Sequence, residues 1–411
     1  MKEELHISYQ KNRSDLGKVL IPGSKSESNR ALLINALCKL PGNIKNLSSA
    51  RDTQLMQSLL NTPTREIDVK DAGTVMRFLT AFFGLTGQSK VLTGTPRMQE
   101  RPIGILVNAL RELGVEINYV KKEGYPPISL NGFKIQKTDT ITIDGSVSSQ
   151  YLSALLMLAP TLPKGLILAI EGETTSKPYL QMTIELMQHF GVEVRQLPNG
   201  YKVEPSEYHF KPFTVEPDWS SASYWYSIFV LSGAERLELA AFKEYSLQGD
   251  RNLVELMQPF GVETQFTPEG AVLTRCTPNL PDAIDFSDSP DLAQTFAVLC
   301  AALEHTCVFT GLHTLKIKET DRVSAIKNEL RKLGADFVEK NETWSVVPPK
   351  GEWKSKEVYI NTYHDHRMAM AFGPLACVLP GITIEAPEVV NKSYPSFWED
   401  LGRAGFRFSI D

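Results

Sequence analysis

Six times along the chain a short polar cluster, carrying a basic residue or an N-capping Ser or Asp, opens an apolar stretch. The clusters span residues 24–30, 71–77, 146–150, 218–221, 288–291 and 364–367, and the apolar runs behind them include 31–37, 78–85 and 368–378. A helix that is apolar on every side is a buried one. Each pattern therefore predicts a capped, buried helix with a polar first turn. Helix starts leave backbone N–H groups unpaired and carry the positive end of the macrodipole, so they suit anions. Six such starts with Lys and Arg among them imply a site for a heavily anionic small molecule.

A second series interlocks with the first. Amphipathic stretches end in Gly and pass into β-prone runs: 110–114 into 115–117, 186–191 into 192–194, 256–261 into 262–264, 330–334 into 335–337, and 401–405 into 406–408. Gly accepts the left-handed conformation that ends a helix, and β-branched residues then favour a strand. These glycines recur about every 70 residues, too far apart for a solenoid repeat and suited to a small subdomain. Residues 54–60 followed by 67–69 read as a shortened copy without the glycine. Merged, the two series predict six units, each a capped buried helix, some strand, a second amphipathic helix and more strand. Three units precede about residue 216 and three follow it, with Pro212 and Pro217 at the crossing. The strand-like run 5–9 precedes every unit and is free to pair with the second half. The expected organisation is one domain of residues 1–20 plus 217–411 and an inserted domain of 21–216, with active residues in a cleft between facing helix ends.

Composition narrows the function. At 411 residues the chain exceeds one ordinary core, and 42% hydrophobic with 22% charged residues excludes disorder. The net charge of −5 means that the basic clusters are local, which favours a pocket over a nucleic-acid face. None of Cys38, Cys276, Cys300, Cys307 and Cys377 forms a C-x-x-C pair, and reduced thiols within the core are expected. The first residues lack an apolar signal region and no stretch is built to span a bilayer, so a cytoplasmic protein is expected.

Four motifs carry candidate chemistry. Residues 22–30 superficially resemble a phosphate-binding P-loop but lack its first glycine and its Gly-Lys-Ser/Thr order. They read either as a plain capped helix start or as Lys25 and Arg30 turned toward one anion. Arg101 directly precedes a helix-starting Pro102, where a cation opposes the dipole unless an anion joins it. Residues 316–322 read as a solvated helix start, or as Lys318 and Arg322 clamping an anion with Glu319 available for proton transfer. His364 and His366 are spaced like metal ligands, but Arg367 repels a cation and no third ligand follows; an anion clamp is more economical and no metal is expected. Ser148, Ser149 and Gln150 offer hydrogen-bond donors at a helix start, Asp291 is a carboxylate without a structural need for its position, and Lys392 completes the cationic set.

Together these motifs closely resemble the 5-enolpyruvylshikimate-3-phosphate synthase family of enolpyruvyl transferases. Pro-Gly-Ser-Lys-Ser-x-Ser-Asn-Arg at 22–30, Ala-Gly-Thr-x-Met-Arg at 72–77 and Arg-Met-x-Glu-Arg-Pro-Ile-Gly at 97–104 occur in the family's order. Ser-Ser-Gln at 148–150, Ser-Lys-Pro-Tyr at 176–179, Lys-Glu-Thr-Asp-Arg at 318–322 and Asp-His-Arg-Met-Ala-Met at 365–370 continue it. The resemblance implies a two-domain inside-out α/β barrel, each domain of three βαβαββ-type units, one shortened here. It implies transfer of the enolpyruvyl group of phosphoenolpyruvate to the 5-hydroxyl of shikimate 3-phosphate with release of phosphate, through a tetrahedral intermediate. No cofactor, no nucleic acid and no membrane is implied, and a monomer is expected.

By matching position, Lys25, Ser26, Arg30, Ser148, Ser149, Gln150, Ser176, Tyr179, Asp291 and Lys318 resemble the shikimate 3-phosphate site. Lys25, Gly73, Arg101, Gln150, Arg322, Arg367 and Lys392 resemble the phosphoenolpyruvate site. The resemblance makes Asp291 the base for the 5-hydroxyl and Glu319 the proton shuttle at C3, with Lys25, His366 and Lys392 beside them. Asp71 stands where the family has Asn, Phe78 where it has Pro, and Thr314 where an Asn contacts the shikimate phosphate; residues 51–69 are short, so one unit is expected to lack strands. Two rivals differ in kind. The transferase acting on UDP-N-acetylglucosamine carries a reactive Cys in the loop matching 97–101, which holds none here, and a pure polyanion binder gains nothing from Asp291 and Glu319 in a cationic site.

Overall fold

The computed structural model describes residues 3–10, 13–145, 148–172 and 177–410. Contacts divide the chain into two compact units, Met1–Ser24 with Ser49–Arg51 and Glu216–Asp411, and Lys25–Ser48 with Asp52–Val215. Among the described residues lie five four-stranded sheets. In the sheet of Ala283–Asp285, Cys307–Thr310, Thr343–Val347 and Asp336–Lys340, the first pair is parallel and the next two pairs are antiparallel. The sheets begun by Glu66–Asp68 and Thr140–Asp144 repeat this plan. So do those begun by Asp15–Val19 and Val358–Ile360. The common plan is the βαβαββ unit, because only the parallel pair demands a long crossover.

The N-terminus completes two units. Glu4–Tyr9 inserts antiparallel between Ile382–Glu385 and Phe406–Ile410, supplying the fourth strand of the last sheet. Asp15–Val19 pairs parallel with Arg236–Ala240 and supplies the first strand of another. This second strand has no clear periodicity because Gly17, at φ 81°, breaks it and the pairing shifts register opposite. The shortened unit keeps helices Lys25–Leu37 and Arg51–Leu60 and has only isolated bridges, at Gly23–Pro217 and Lys45–Thr214, in place of a sheet.

The crossover helices are Gly73–Leu85, Ser149–Leu158, Trp219–Ser232, Ala293–Ala302 and His366–Phe372. They are buried on nearly every side and pack on one another within each of the two compact units: Gly73–Leu85 on Ser149–Leu158, and Ala293–Ala302 on Trp219–Ser232 and His366–Phe372. The strands alternate buried and more exposed residues, so each sheet turns one face outward and the helices form the core. That arrangement is inside-out.

The second helices end as expected, with Gly114, Gly191, Gly261, Gly334 and Gly405 all left-handed. At Gly114 a side chain is excluded twice, by φ 113° and by the Ile135 carbonyl 2.3 Å from where a Cβ would lie. Two expectations change. Residues 192–194 are not strand: the Val192 amide bonds back to the Met187 carbonyl at 2.9 Å, closing the helix end, and pairing starts at Arg195–Leu197. The long helix expected over 368–378 is an α-helix only to Phe372 and continues as the 3₁₀ stretch Gly373–Cys377, because Pro374 has no N–H to donate.

Every unit thus has two helix starts, one on its crossover helix and one on the helix leading to its third strand. The candidate residues gather there.

Candidate active site

In the unit holding residues 52–215, one group forms around the start of Gly73–Leu85. Ala72 precedes this helix without a side-chain cap, leaving its N–H groups open. Arg101 lies against Gly73 so closely that a Cβ there would sit 2.6 Å from Arg101 Nη2. Glycine is the only residue that lets this guanidinium reach the helix start. Arg101 is only 7% exposed, and its Nε and Nη1 have no hydrogen-bond partner among the described residues. Its segment is held from behind: the Pro102 carbonyl accepts from Arg77 Nη2 at 2.8 Å and from Tyr151 Oη at 2.6 Å. Gln150 Nε2 donates to Thr74 Oγ1 at 3.2 Å, bringing the next crossover helix to the same place. Ser148 caps that helix by accepting from the Gln150 amide at 3.3 Å, and Ser149 is buried behind it.

Arg30 forms a second group. Its Nε donates to Thr183 Oγ1 at 2.7 Å and its Nη2 to Ser153 Oγ at 3.3 Å, while Phe78 and Tyr179 lie under the guanidinium at 5.4 and 5.8 Å. Burial lowers the Arg30 pKa to about 10 against the pull of Tyr179 and Glu27, so it stays charged at neutral pH, hydrogen-bonded to hydroxyls and stacked on rings. Phe78, in place of the family's proline, therefore serves as a platform for Arg30, and the helix through it runs unbroken. Lys25 does not join Arg30. Five positions separate their side chains by about 140° around the helix, and Lys25 Nζ turns to Asp52 at 3.4 Å while Arg30 points to Thr183. Ser26 meets Arg30 through its carbonyl, at 3.0 Å from Nη1. Ser176 lies outside the described residues.

The other unit assembles a different cluster. Arg322, 1% exposed at the start of helix Arg322–Lys332, holds three carboxylates: Asp365 at 2.7 Å, Asp291 at 2.9 Å and Glu319 at 3.0 Å. Arg367 Nη2 binds the other oxygen of Asp291 at 2.8 Å, and its Nη1 donates to Tyr224 Oη at 3.2 Å. Lys318 lies 3.6 Å from Asp291 and Lys392 3.9 Å from Glu319. Burial opposes the charge on Asp291, but Arg367, Lys318 and Arg322 overcome it and hold the carboxyl well below the usual range. Tyr224 is pushed up to about 12 by burial and stays a neutral phenol.

Asp365 organises this cluster; local spacing marks it only as part of a helix start and does not show that it holds Arg322. It caps helix His366–Phe372 by accepting from the Arg367 amide at 2.9 Å, and the same carboxylate grips Arg322. The turn before it is strained, with Tyr363 and His364 both left-handed at φ 54° and 57°. Each costs about 1–2 kcal/mol; Tyr363 is anchored by its hydroxyl on Glu329 at 2.7 Å. His366 is buried with Nδ1 3.6 Å from Asp365. Asp52, Ser153, Thr183 and Tyr224 were missed, since nothing in local spacing marks a partner so distant along the chain. Thr314 keeps a buried hydroxyl with no partner among the described residues. Of the cysteines four are buried and Cys276 is half-buried. Among the described residues no group of His, Cys, Asp or Glu is placed to hold a metal ion, and no helix is long and apolar enough to cross a membrane.

Repeated parallel-crossover sheets with cations at the helix starts define the enolpyruvyl-transferase class of fold. Two solved structures share it over 100% of both chains: EPSP synthase from Acinetobacter baumannii, with a TM-score of 0.77 at 20% identity, and the enolpyruvyl transferase NikO from Streptomyces tendae, with 0.75 at 16%. Sequence goes further. A profile of the EPSP synthase (3-phosphoshikimate 1-carboxyvinyltransferase) family matches residues 10–62 and 56–401. The 3-phosphoshikimate 1-carboxyvinyltransferase of Bacteroides fragilis is 48% identical over 398 residues, covering 95% of this chain and 96% of its own. That of Colwellia psychrerythraea is 35% identical over 418 residues, covering 94% and 96%. The chain belongs to the EPSP synthase family.

Proposed function

We propose that the chain transfers the carboxyvinyl group of phosphoenolpyruvate to the 5-hydroxyl of shikimate 3-phosphate and releases phosphate, a step of the shikimate pathway toward aromatic amino acids. One observation carries the chemical reading: Arg322 holds Asp291 and Glu319 at once, fixing two carboxylates inside a set of four cations. Anion binding alone needs only the cations; a reaction that removes one proton and adds another needs both carboxylates.

Asp291 takes the 5-hydroxyl proton as oxygen attacks C2. At rest Arg322, Arg367 and Lys318 hold it ionised. When a substrate anion draws on Arg367 and Lys318, Asp291 loses part of that grip and becomes the stronger base. Glu319 protonates C3 during addition and takes a proton back as phosphate leaves, with Lys392 and Arg322 beside it to bear the charge changes. Lys25 and His366 complete the catalytic set. Arg101 at the Gly73 helix start, with Gln150, Arg322, Arg367 and Lys392, receives phosphoenolpyruvate; Lys25 serves both substrates. Arg30, Ser26, Ser148, Ser149, Gln150, Ser176, Tyr179, Asp291 and Lys318 receive shikimate 3-phosphate. Preorganised charge of this kind acts where the transition state develops charge of its own. The same reading assigns domains of 1–20 with 217–411 and of 21–216, and takes the working form as a cytoplasmic monomer.

Phosphate release from phosphoenolpyruvate tests the reading, with shikimate 3-phosphate or UDP-N-acetylglucosamine as acceptor. Release with the first alone is expected. Release only with the second, or with neither, overturns it.

A further inference from the structure

In the βαβαββ plan the start of each unit's second helix carries candidate chemistry: Arg101 before Gly104–Leu113, Tyr179 in Lys177–His189, Lys318 to Arg322 at Arg322–Lys332, and Lys392 before Phe397–Arg403. The remaining full unit, whose second helix is Leu253–Met257, has no assigned residue there. Its place is taken by the 3₁₀ turn Gly249–Asn252, and the side chain facing inward is Asp250.

Asp250 is 2% exposed. Its Oδ2 accepts from the Ser220 hydroxyl, and its Oδ1 has no hydrogen-bond partner among the described residues. A buried carboxylate with one oxygen unpaired costs more than the neutral acid in the same place. Two links tie the residue to the Asp291 cluster. Asn252, in the same turn, donates to Ser289 Oγ at 2.9 Å, two positions before Asp291. Ser220 stands one helical turn before Tyr224 on Trp219–Ser232, and Tyr224 accepts from Arg367. The charged groups acting on Asp250 are Asp291 and Asp218, which repel its anion, and Arg367, which attracts it.

We infer that Asp250 is a proton-linked positioning residue for the anion held by Arg367: as the neutral acid it leaves the Arg367 charge to the substrate, and as a carboxylate it competes for that charge. Burial first, then the charge of Asp291, raises its pKa to about 7, against the Ser220 hydrogen bond and Arg367. Arg367 already faces the Asp291 carboxylate at 2.8 Å, and ionised Asp250 adds a second negative charge acting on the same guanidinium. The sign follows: the Asp250 contribution to substrate affinity is most favourable below neutrality and is lost as Asp250 ionises with rising pH.

The inference rests on the proposed activity, and phosphate release separates the two failures. If the wild-type protein releases no phosphate with shikimate 3-phosphate, the activity reading fails first. With activity present, the KM for phosphoenolpyruvate is measured from about pH 6 to pH 8 in wild type and in Asp250→Asn. Substrate titration is common to both proteins and cancels in their ratio. The wild-type KM is expected to rise about three- to eightfold more than that of the variant across this range, as one competing ionisation near neutrality dictates. Parallel profiles overturn the inference. Ser220→Ala provides the second arm should the Asn variant not fold. Loss of the hydroxyl that favours the carboxylate moves the KM inflection to higher pH, and an unmoved inflection is equally fatal.

Discussion

The two units solve the problem of holding anions in opposite ways. In residues 25–48 and 52–215 two buried arginines make no carboxylate hydrogen bond: Arg30 meets two hydroxyls and two rings, with the Glu27 charge acting on it, and Arg101 keeps two nitrogens unpaired against a glycine. In residues 216–410 the cations are matched by carboxylates, with Arg322 alone holding three. The first arrangement leaves positive charge open to whatever binds. The second balances its charge in advance and can redistribute protons when a ligand changes that balance. Binding and proton transfer thus place different demands on the same kind of helix start.

The largest effect that would break this contrast is on stability. Arg322→Met strands Asp291, Glu319 and Asp365, and should cost about 3–5 kcal/mol by denaturant unfolding, as removal of one partner from a buried ion network does. A loss under about 1 kcal/mol would mean the three carboxylates do not depend on it. Next, Glu319→Gln should lower kcat at least about a hundredfold with little change in either KM, as loss of a general acid–base group does. Near-wild-type turnover would remove Glu319 from the proton path. Arg101→Met should raise the KM for phosphoenolpyruvate at least about tenfold, the loss of a charge-assisted contact. It should also leave the melting temperature unchanged or higher, since it removes an unpaired buried charge. A less stable variant would show that Arg101 is structurally compensated and end its contrast with Arg322. The smallest effect is at Asp71, which places a negative charge two residues before the open helix start at Gly73. Asp71→Asn should lower the KM for phosphoenolpyruvate by about two- to threefold, the size of one exposed helix-terminus charge; an unchanged or raised KM would count against it.

The helix starts were legible along the chain because capping and burial are local: Asp218, Asp321 and Asp365 cap through residues two or three positions on. The glycine series was legible for the same reason, since a left-handed residue is needed wherever a helix turns straight into a strand. Strands without alternation were not. Asp15–Val19 exists because Arg236–Ala240 lies beside it, and residues 192–194 lose their pairing to a helix cap. The pairing plan itself, with the N-terminal strand inserted between two strands of the last sheet, depends on contacts almost a whole chain apart.

The same division runs through the site. Residue type and local spacing by themselves determined which side chains carry charge and stand at helix starts: Lys25, Arg101, Asp291, Glu319, Arg322 and Arg367. Only the tertiary structure decided which of them meet. It turned Lys25 to Asp52 and Arg30 to Thr183, set Arg101 on Gly73, and closed Asp291, Glu319 and Asp365 around one guanidinium. The physical reason is range. Capping and helix periodicity act within a few residues, whereas desolvation and Coulomb energy depend on what folding brings close, wherever it lies in the chain.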